Sequence, residues 1–421
     1  MRIGLIGLFG SGNTGNDGSL EAMLGILRRL RPDAELMCFC GCNSEAPDRV
    51  ARDFRVAALP LAFLRPAHGP LRLLDTLTLS APRQLASLVR ALVYAARLNV
   101  LIVPGTGVLG VFRDRPFGMP LALFGWCLAA SLFGTRIAFV SVGAGPIDRP
   151  FTRWLMKSAA ALACYRSYRD TGSREFMASL GLDTRADAVY PDLAFALPSP
   201  PAVGAARGDD GSLTVGVGVM TYIGWRMDSS DGLQIYQLYL EKITSFVLWL
   251  LDCGHRVRIL MGDIVDKPAV ADLVAKVNAA RSALEPGRMV ADPIRSLHDL
   301  MCQMAETDVI VATRFHNVVC ALKCGKPTVS IGYADKNDSL MAEMGGGQFC
   351  QHIERLDLDL LIRQFSALVA EQARHEASIR NANHAFRQRL KRQDRELAAN
   401  VLGAQPALSY AAPAKTREHL G

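Results

Sequence analysis

Residues 308–338 read DVIVATRFHNVVCALKCGKPTVSIGYADKND. Residues 308–312 form an apolar, β-branched run of buried-strand length. Residues 317–324 carry apolar side chains at helical spacing, and a second strand-like run follows at 328–331. Strand, short helix and strand in that order predict a parallel βαβ unit, whose helix crosses one face of the sheet. In open parallel sheets, ligands bind outside the carboxyl ends of the strands. Thr313, Arg314, Phe315 and His316 stand at the first strand's exit. Tyr333, Asp335 and Lys336 leave the next strand on the same edge. The helix from 317 turns its unpaired N–H groups toward that place, which favours an anion by geometry and dipole. Arg314 adds a fixed cation. Taken alone, His316 reads either as a buried, hydrogen-bonded imidazole or as a proton donor.

The same alternation runs along most of the chain. Strand-like runs fall at 3–9, 36–40, 100–103, 137–142, 213–219 and 257–261, with helical patterns at 17–31, 235–253 and 268–283. This predicts an α/β protein with parallel sheets buried on both faces. The Pro/Gly/Ala-rich stretch LPSPPAVGAARGDDG, 197–211, reads as a linker. Two Rossmann-like parallel-sheet domains facing a central cleft are therefore expected, over 1–200 and 210–370. Residues 359–399 read as helix, so a C-terminal helix at 371–402 is expected to pack back on the first domain, with a flexible tail at 403–421.

The 421-residue chain carries a net charge of +7 and a pI near 8.9, a mild excess that implies no nucleic-acid partner. The excess is concentrated. Arg49, Arg52, Arg55, Arg65, Arg72, Arg83, Arg90 and Arg97 face only Asp53 and Asp75 within 49–97. This block reads either as a solvated helical face or as a surface for anionic lipid or substrate. Residues 116–135 are uncharged and long enough to be weighed as a membrane span, but Pro120, the glycines and the strand that follows fit a buried helix better. The ten cysteines lack metal-ligand spacing, so neither a metal site nor a disulfide framework is expected. Cys38, Cys40 and Cys42 alternate on one strand, and Cys320 and Cys324 have no second pair. With no secretory signal before the first strand, a cytoplasmic protein is expected.

The first strand ends in GLFGSGNTGNDGSLEAML, which holds Gly10-x-Gly12-x-x-Gly15 in the strand–turn–helix setting of a dinucleotide site. A dinucleotide is disfavoured, because no carboxylate ends the second strand and Asp17 would repel a pyrophosphate at the helix start. Asp17 and Asn13 either cap that helix or face the cleft and bind sugar hydroxyls. The turns VPGTGVLG, with Gly105 and Gly107, and SVGAGPIDR let backbone approach a ligand closely. In CYRSYRDTGSREF, Arg166 and Arg169 end a strand. Arg169 is expected to grip a phosphate or carboxylate, or else to pair with Asp170.

The block ATRFHNVVCALKCGKPTVSIGYADKNDSLMAEMG resembles the signature of the polysaccharide pyruvyl transferase family: an R-x-H turn, a small apolar helix, a G-x-P strand and a Y-x-x-K turn. GNTGNDGSLEAML, VPGTGVL, SVGAGP and YRDTGSREFMASLG…DLAFAL fall in that family's order over about residues 1–350. The Arg-rich stretch is less typical. The resemblance implies a GT-B-like fold, phosphoenolpyruvate as co-substrate with no further cofactor, and a sugar of a cell-surface glycan, or its lipid-linked oligosaccharide precursor, as acceptor. The product would carry pyruvate as a cyclic ketal. On that reading Arg314 and Arg169 hold the donor from opposite domains, with Lys336 as a third cation and Phe315 and Tyr333 beside them. His316 donates a proton, and Asp17 or Asp114 takes one from the sugar. Asn13, Gly15, Gly105 and Gly107 line the acceptor side, which is expected to work at the inner face of a membrane. The rival readings are a GT-B nucleotide-sugar glycosyltransferase, with Asp263 or Asp266 gripping a ribose, and a non-catalytic glycan-binding scaffold subunit.

Overall fold

The computed structural model describes residues 1–41, 45–62, 81–110, 116–201, 211–224, 231–281 and 284–403, with the isolated positions 75 and 78. One sheet comprises β1 (Arg2–Gly7), β2 (Glu35–Cys40), β3 (Ala57–Pro60), β4 (Val100–Pro104), β5 (Arg136–Val142), β6 (Tyr165–Tyr168) and β7 (Ala188–Val189). Its strands run parallel in the order β3-β2-β1-β4-β5-β6-β7. The period of two divides each strand between two cores. Leu5, Cys38, Ile102 and Val140 face the side filled by Leu20, Met23 and Leu27 of α1 (Thr14–Leu30). Ile6, Phe39, Val103 and Phe139 face the other side, where Ala91, Trp126 and Leu155 project from α3 (Ala81–Ala95), α4 (Met119–Leu132) and α5 (Pro150–Ala161). The short α2 (Ala46–Phe54) leads into β3, and α6 (Thr171–Ser179) follows β6.

The second sheet, β8 (Thr214–Val219), β9 (Arg256–Met261), β10 (Met289–Val290), β11 (Val309–Ala312), β12 (Thr328–Gly332) and β13 (Cys350–His352), is also parallel, ordered β10-β9-β8-β11-β12-β13. Around it pack α7 (Gly232–Asp252), α8 (Lys267–Ala280), α9 (Leu297–Ala305), α10 (Phe315–Lys323), α11 (Asp335–Glu343) and α12 (Leu358–Ala370). Strand order reverses between β1 and β4 in one sheet and between β8 and β11 in the other. The glycine turn after β1 and the R-x-H turn after β11 thus lie at the two switch points, where crevices open.

The sheets are joined at the first turn of α1. Asn13 caps this helix, its Oδ1 accepting from the N–H groups of Gly15 and Asn16 at 3.1 Å each. Its Nδ2 donates to Asp263 Oδ2 at 2.7 Å, beyond β9. Thr14 Oγ1 donates to the Gly262 carbonyl at 2.5 Å. One buried core then continues from α1 into the second sheet.

The C-terminal stretch is two helices rather than one. It breaks at Glu371, between α12 and α13 (Gln372–Leu397). Helix α13 returns to the first sheet, where Asp394 pairs with Arg29 at 2.6 Å and Gln393 donates to Ser141 and Ser167. Residues 116–135 hold helix α4 (Met119–Leu132), whose inner side is buried, while Leu128, Leu132 and the capping Phe133 remain exposed.

Asn13 serves both a cap and a contact between sheets, so Asn13→Ala should lower unfolding stability by roughly 2 kcal/mol in urea titration. Asn13→Asp, which keeps the capping oxygen but sets a carboxylate against Asp263, should do no better.

Candidate functional site

A cleft of about 570 Å³ lies between the carboxyl edges of the two sheets. One wall is backbone: Gly107 and Gly110 after β4, and Gly143 to Gly145 after β5. Arg169, at the end of β6, reaches across it. A Cβ on Gly143 would stand 2.7 Å from its Nε and Nη2, so the guanidinium lies on bare backbone. The other wall comes from the second sheet and includes Tyr222, Tyr333, Lys336, His352 and Glu354.

Phe315 marks where the halves meet. Arg169 Cζ lies 4.7 Å from its ring centroid and Lys336 Nζ 5.3 Å from the same centroid. Lys336 also sits 4.8 Å from the Tyr333 ring. Two cations from opposite sheets thus converge on one aromatic ring at the cleft. Burial works to raise the Tyr333 phenol, but Lys336, Arg314 and Arg169 outweigh it and hold the phenol below its ordinary range. Of the wall's carboxylates, Asp170 caps α6 through Ser173 N–H at 2.6 Å, and Glu354 accepts from Tyr222 OH at 2.6 Å.

His316 stands behind this wall. Helix α10 begins at Phe315, two residues earlier than the apolar pattern predicts, so the imidazole rides on its first turn. It lies against Gly15, where a Cβ would fall 2.0 Å from Nδ1. Its Nε2 is 3.9 Å from Asp192 Oδ2, which also takes Arg169 Nη1 at 3.1 Å. Burial pushes the imidazole down to about 4. Asp192 opposes this, while Arg169, Lys336 and Arg314 add to it, so the ring is neutral near pH 7. His316 Nε2 and Arg169 Nε are buried without a hydrogen-bond partner in the protein. Several other buried side-chain atoms share this condition, and a water or a ligand can satisfy them.

Arg314 departs from the expectation that it holds the donor. Its Nε and Nη2 each donate at 2.7 Å to Asp266, whose side chain is fully buried. Burial alone would weaken the guanidinium's charge, and this bidentate pair restores it. Arg314 therefore locks the end of β11 to the turn after β9. The same contact removes Asp266 from any ribose, and Asp263 is held by Asn13. Asn13 and Asp17 also point elsewhere than expected. Asn13 is engaged as described, and Asp17 accepts from the Gly10 N–H at 2.7 Å, closing the glycine turn. Burial pushes the Asp17 carboxyl up to about 6. Gly105 adopts φ 49° and its carbonyl accepts from Ser19 Oγ at 3.1 Å, away from the cleft. Asp114 lies outside the described residues.

The expected residues thus form two groups. Arg169, Tyr333, Lys336 and Gly107 line the cleft, with Phe315 against both cations, whereas Asn13, Gly15, Asp17, Gly105, Arg314 and His316 build the joint behind it. Asp192, quoted only as the first residue of DLAFAL, carries no role in the sequence reading, although an acid between Tyr190 and Leu193 in an otherwise apolar run is a visible signal. Among the described residues no group of His, Cys, Asp and Glu clusters as metal ligands do.

Two parallel sheets with this helical packing and a cleft between their carboxyl edges define a GT-B-type fold. Solved structures bear this out. An MnaA from S. aureus determined with UDP aligns with a TM-score of 0.57 at 12% identity, covering 96% of this chain and 98% of its own. A UDP-GlcNAc 2-epimerase from Neisseria meningitidis bound to UDP-GlcNAc aligns at 0.53 and 12%, over 93% and 100%. An α,α-trehalose-phosphate synthase (UDP-forming) from Burkholderia vietnamiensis aligns at 0.50 and 14%, over 94% and 97%. At such identities the likeness is one of fold. No curated protein matches in sequence. The family model Polysaccharide pyruvyl transferase matches residues 13–335, and the chain belongs to that family.

The His316–Gly15 contact predicts that Gly15→Ala costs roughly 1–3 kcal/mol through overpacking, read as a fall in melting temperature. Adding His316→Ala should restore much of the loss. Additive losses would show that the two residues do not meet.

Proposed function

We propose that the protein transfers the pyruvyl group of phosphoenolpyruvate to a sugar of a cell-surface polysaccharide or its lipid-linked precursor, forming a pyruvate ketal. The observation that carries this reading is the convergence of Arg169 and Lys336 on Phe315. Phosphoenolpyruvate carries its phosphate ester and its carboxylate on the same enol carbon and needs two cations at short spacing. Arg169 Nε lies 3.7 Å from Asp170 Oδ2, the pairing that its place in the sequence also allows, but makes no hydrogen bond within the protein and so keeps a donor for the same ligand. Family membership agrees with this donor. The tyrosines and carboxylates of the opposite wall suit sugar hydroxyls.

Ketal formation places a proton on the methylene carbon, leaving an oxocarbenium-like centre at the enol carbon. One sugar hydroxyl adds there, the bond to the phosphate oxygen breaks with its electron pair, and a second hydroxyl closes the ring. Of the two hydroxyl protons released, one balances that gained by the methyl group and one leaves with phosphate. Arg169 and Lys336 stabilise charge on the departing phosphate. We assign proton uptake from the sugar to Tyr333, which lines the cleft and is acidified by three cations, in place of Asp17, which closes the glycine turn. His316, behind the wall beside Asp192 and Arg169, becomes protonated when the donor's charge offsets those cations.

Calorimetry with phosphoenolpyruvate tests the donor. Arg169→Ala and Lys336→Ala should each weaken binding about tenfold to a hundredfold, whereas binding of a nucleotide-sugar in its place would sink the reading. Tyr333→Phe should lower kcat about a hundredfold or more with donor affinity preserved. Between pH 5 and 6.5, donor binding should take up a proton, seen as a dependence of binding heat on buffer ionisation enthalpy. His316→Gln should abolish that uptake.

A further inference from the structure

On the outer side of the first sheet, away from α1, helices α3, α4 and α5 lie side by side. Their inward residues fill a core, yet their outward residues are also apolar. Leu85, Val89 and Val93 make one i, i+4 stripe on α3, exposed by 63%, 50% and 47%. Leu128 and Leu132 continue the surface on α4, and Phe151 and Trp154 on α5. Helix α4 has no charged residue on any side, a pattern normal for a helix covered all round. At the end of this layer nearest the cleft, Phe117, Phe151 and Trp154 form an exposed aromatic cluster. Phe151 stacks on Trp154 at 5.9 Å, and Phe117 lies 5.9 Å from Phe151. A contiguous apolar surface of this breadth marks an interaction site.

The charges around it select the partner. Within 81–99 and 116–163 the basic residues are Arg83, Arg90 and Arg97, then Arg136, Arg149, Arg153 and Lys157, against the single acid Asp148. Arg83 is held by Asp75 at 2.9 Å, and Arg90 donates to the Pro60 carbonyl at 3.0 Å. Arg97, Arg149 and Arg153 stand exposed. Exposed aliphatic and aromatic side chains with a basic, almost acid-free border match the headgroup region of an anionic bilayer, where tryptophan and arginine are both favoured. No helix among the described residues is long and apolar enough to cross a membrane, so contact of this kind is peripheral.

We infer that the α3–α5 face docks on a membrane surface bearing anionic lipid, inserting Leu132, Phe151 and Trp154 beside the border of arginines. This inference does not rest on the chemistry assigned to the cleft.

The full-length protein should float with vesicles of phosphatidylcholine and phosphatidylglycerol in equal parts, and bind phosphatidylcholine vesicles far less. Leu132→Glu and Trp154→Glu should each lower the partition coefficient about tenfold. Both positions are solvent-exposed, and unchanged far-UV dichroism with an unchanged melting temperature would show that the variants fold. High salt should also reduce flotation. Absence of flotation, or flotation that both variants retain, would overturn the inference. So would a wild-type dimer in analytical ultracentrifugation that Leu132→Glu makes monomeric, since the face would then belong to a second copy.

Discussion

The imidazole of His316 occupies the volume that a side chain at position 15 would need. That steric exclusion sets how closely the two sheets approach. With Gly15 bare, the first turn of α1 slides against the first turn of α10, and Gly18 accepts Leu297 in the same way, a Cβ there falling 2.3 Å from Leu297 Cδ1. Polar contacts then fix the register of the joint. Asn13 reaches Asp263, Thr14 reaches Gly262, and Ile264 N–H reaches the Gly12 carbonyl at 3.3 Å. The glycines that resemble a phosphate loop are therefore used for protein-to-protein approach. The physical requirement is shared, since either a pyrophosphate or a neighbouring helix needs backbone with nothing on it.

Behind the cleft, acids and bases are paired so that buried charge is compensated. Arg314 with Asp266 and Arg169 with Asp192 are the two deepest pairs, with side-chain exposures of 18% and 0%, and 7% and 2%. Breaking either would leave a charge unmatched in a poorly solvated place, which costs far more than the pair contributes. The pairs differ in completeness. Arg314 is bidentate, whereas Arg169 Nε meets Asp170 only at 3.7 Å, without a hydrogen bond, and borders the cleft. Seen this way, Arg314 is scaffold and Arg169 is the group left with capacity for a ligand.

The parallel sheets, the switch-point turns and the edge carrying Arg169, Tyr333 and Lys336 were legible in the chain, because each follows from local periodicity and from where a buried strand ends. The division of labour among those residues was not. Arg314 and Asp266 are 48 residues apart, and Asn13 and Asp263 are 250 apart. No local pattern says that Asp263 and Asp266, plausible ribose ligands by position, are consumed by these partners. The resemblance offers Asp17 or Asp114 as the base, but the Asp17 carboxylate folds back to accept from Gly10 N–H. The outward apolar face of residues 116–135 was masked by an inward face of the same composition, because apolarity alone does not distinguish two buried sides from one buried and one exposed.

Ser141 holds a left-handed backbone at φ 49° within an irregular stretch of β5, two residues before the glycine that receives Arg169. Its hydroxyl and that of Ser167 accept from Gln393 at 2.8 and 3.0 Å. A residue of the last helix therefore secures the conformation leading into the cleft wall, across a separation of 226 residues from Ser167. On the ribosome, at roughly 5–20 residues per second, about 10 to 45 s pass between synthesis of the strand and of its clamp. During that interval the stretch leading to the cleft wall lacks these two hydrogen bonds. A chain cut before Gln393 would lack the two hydrogen bonds that hold this approach to the cleft wall.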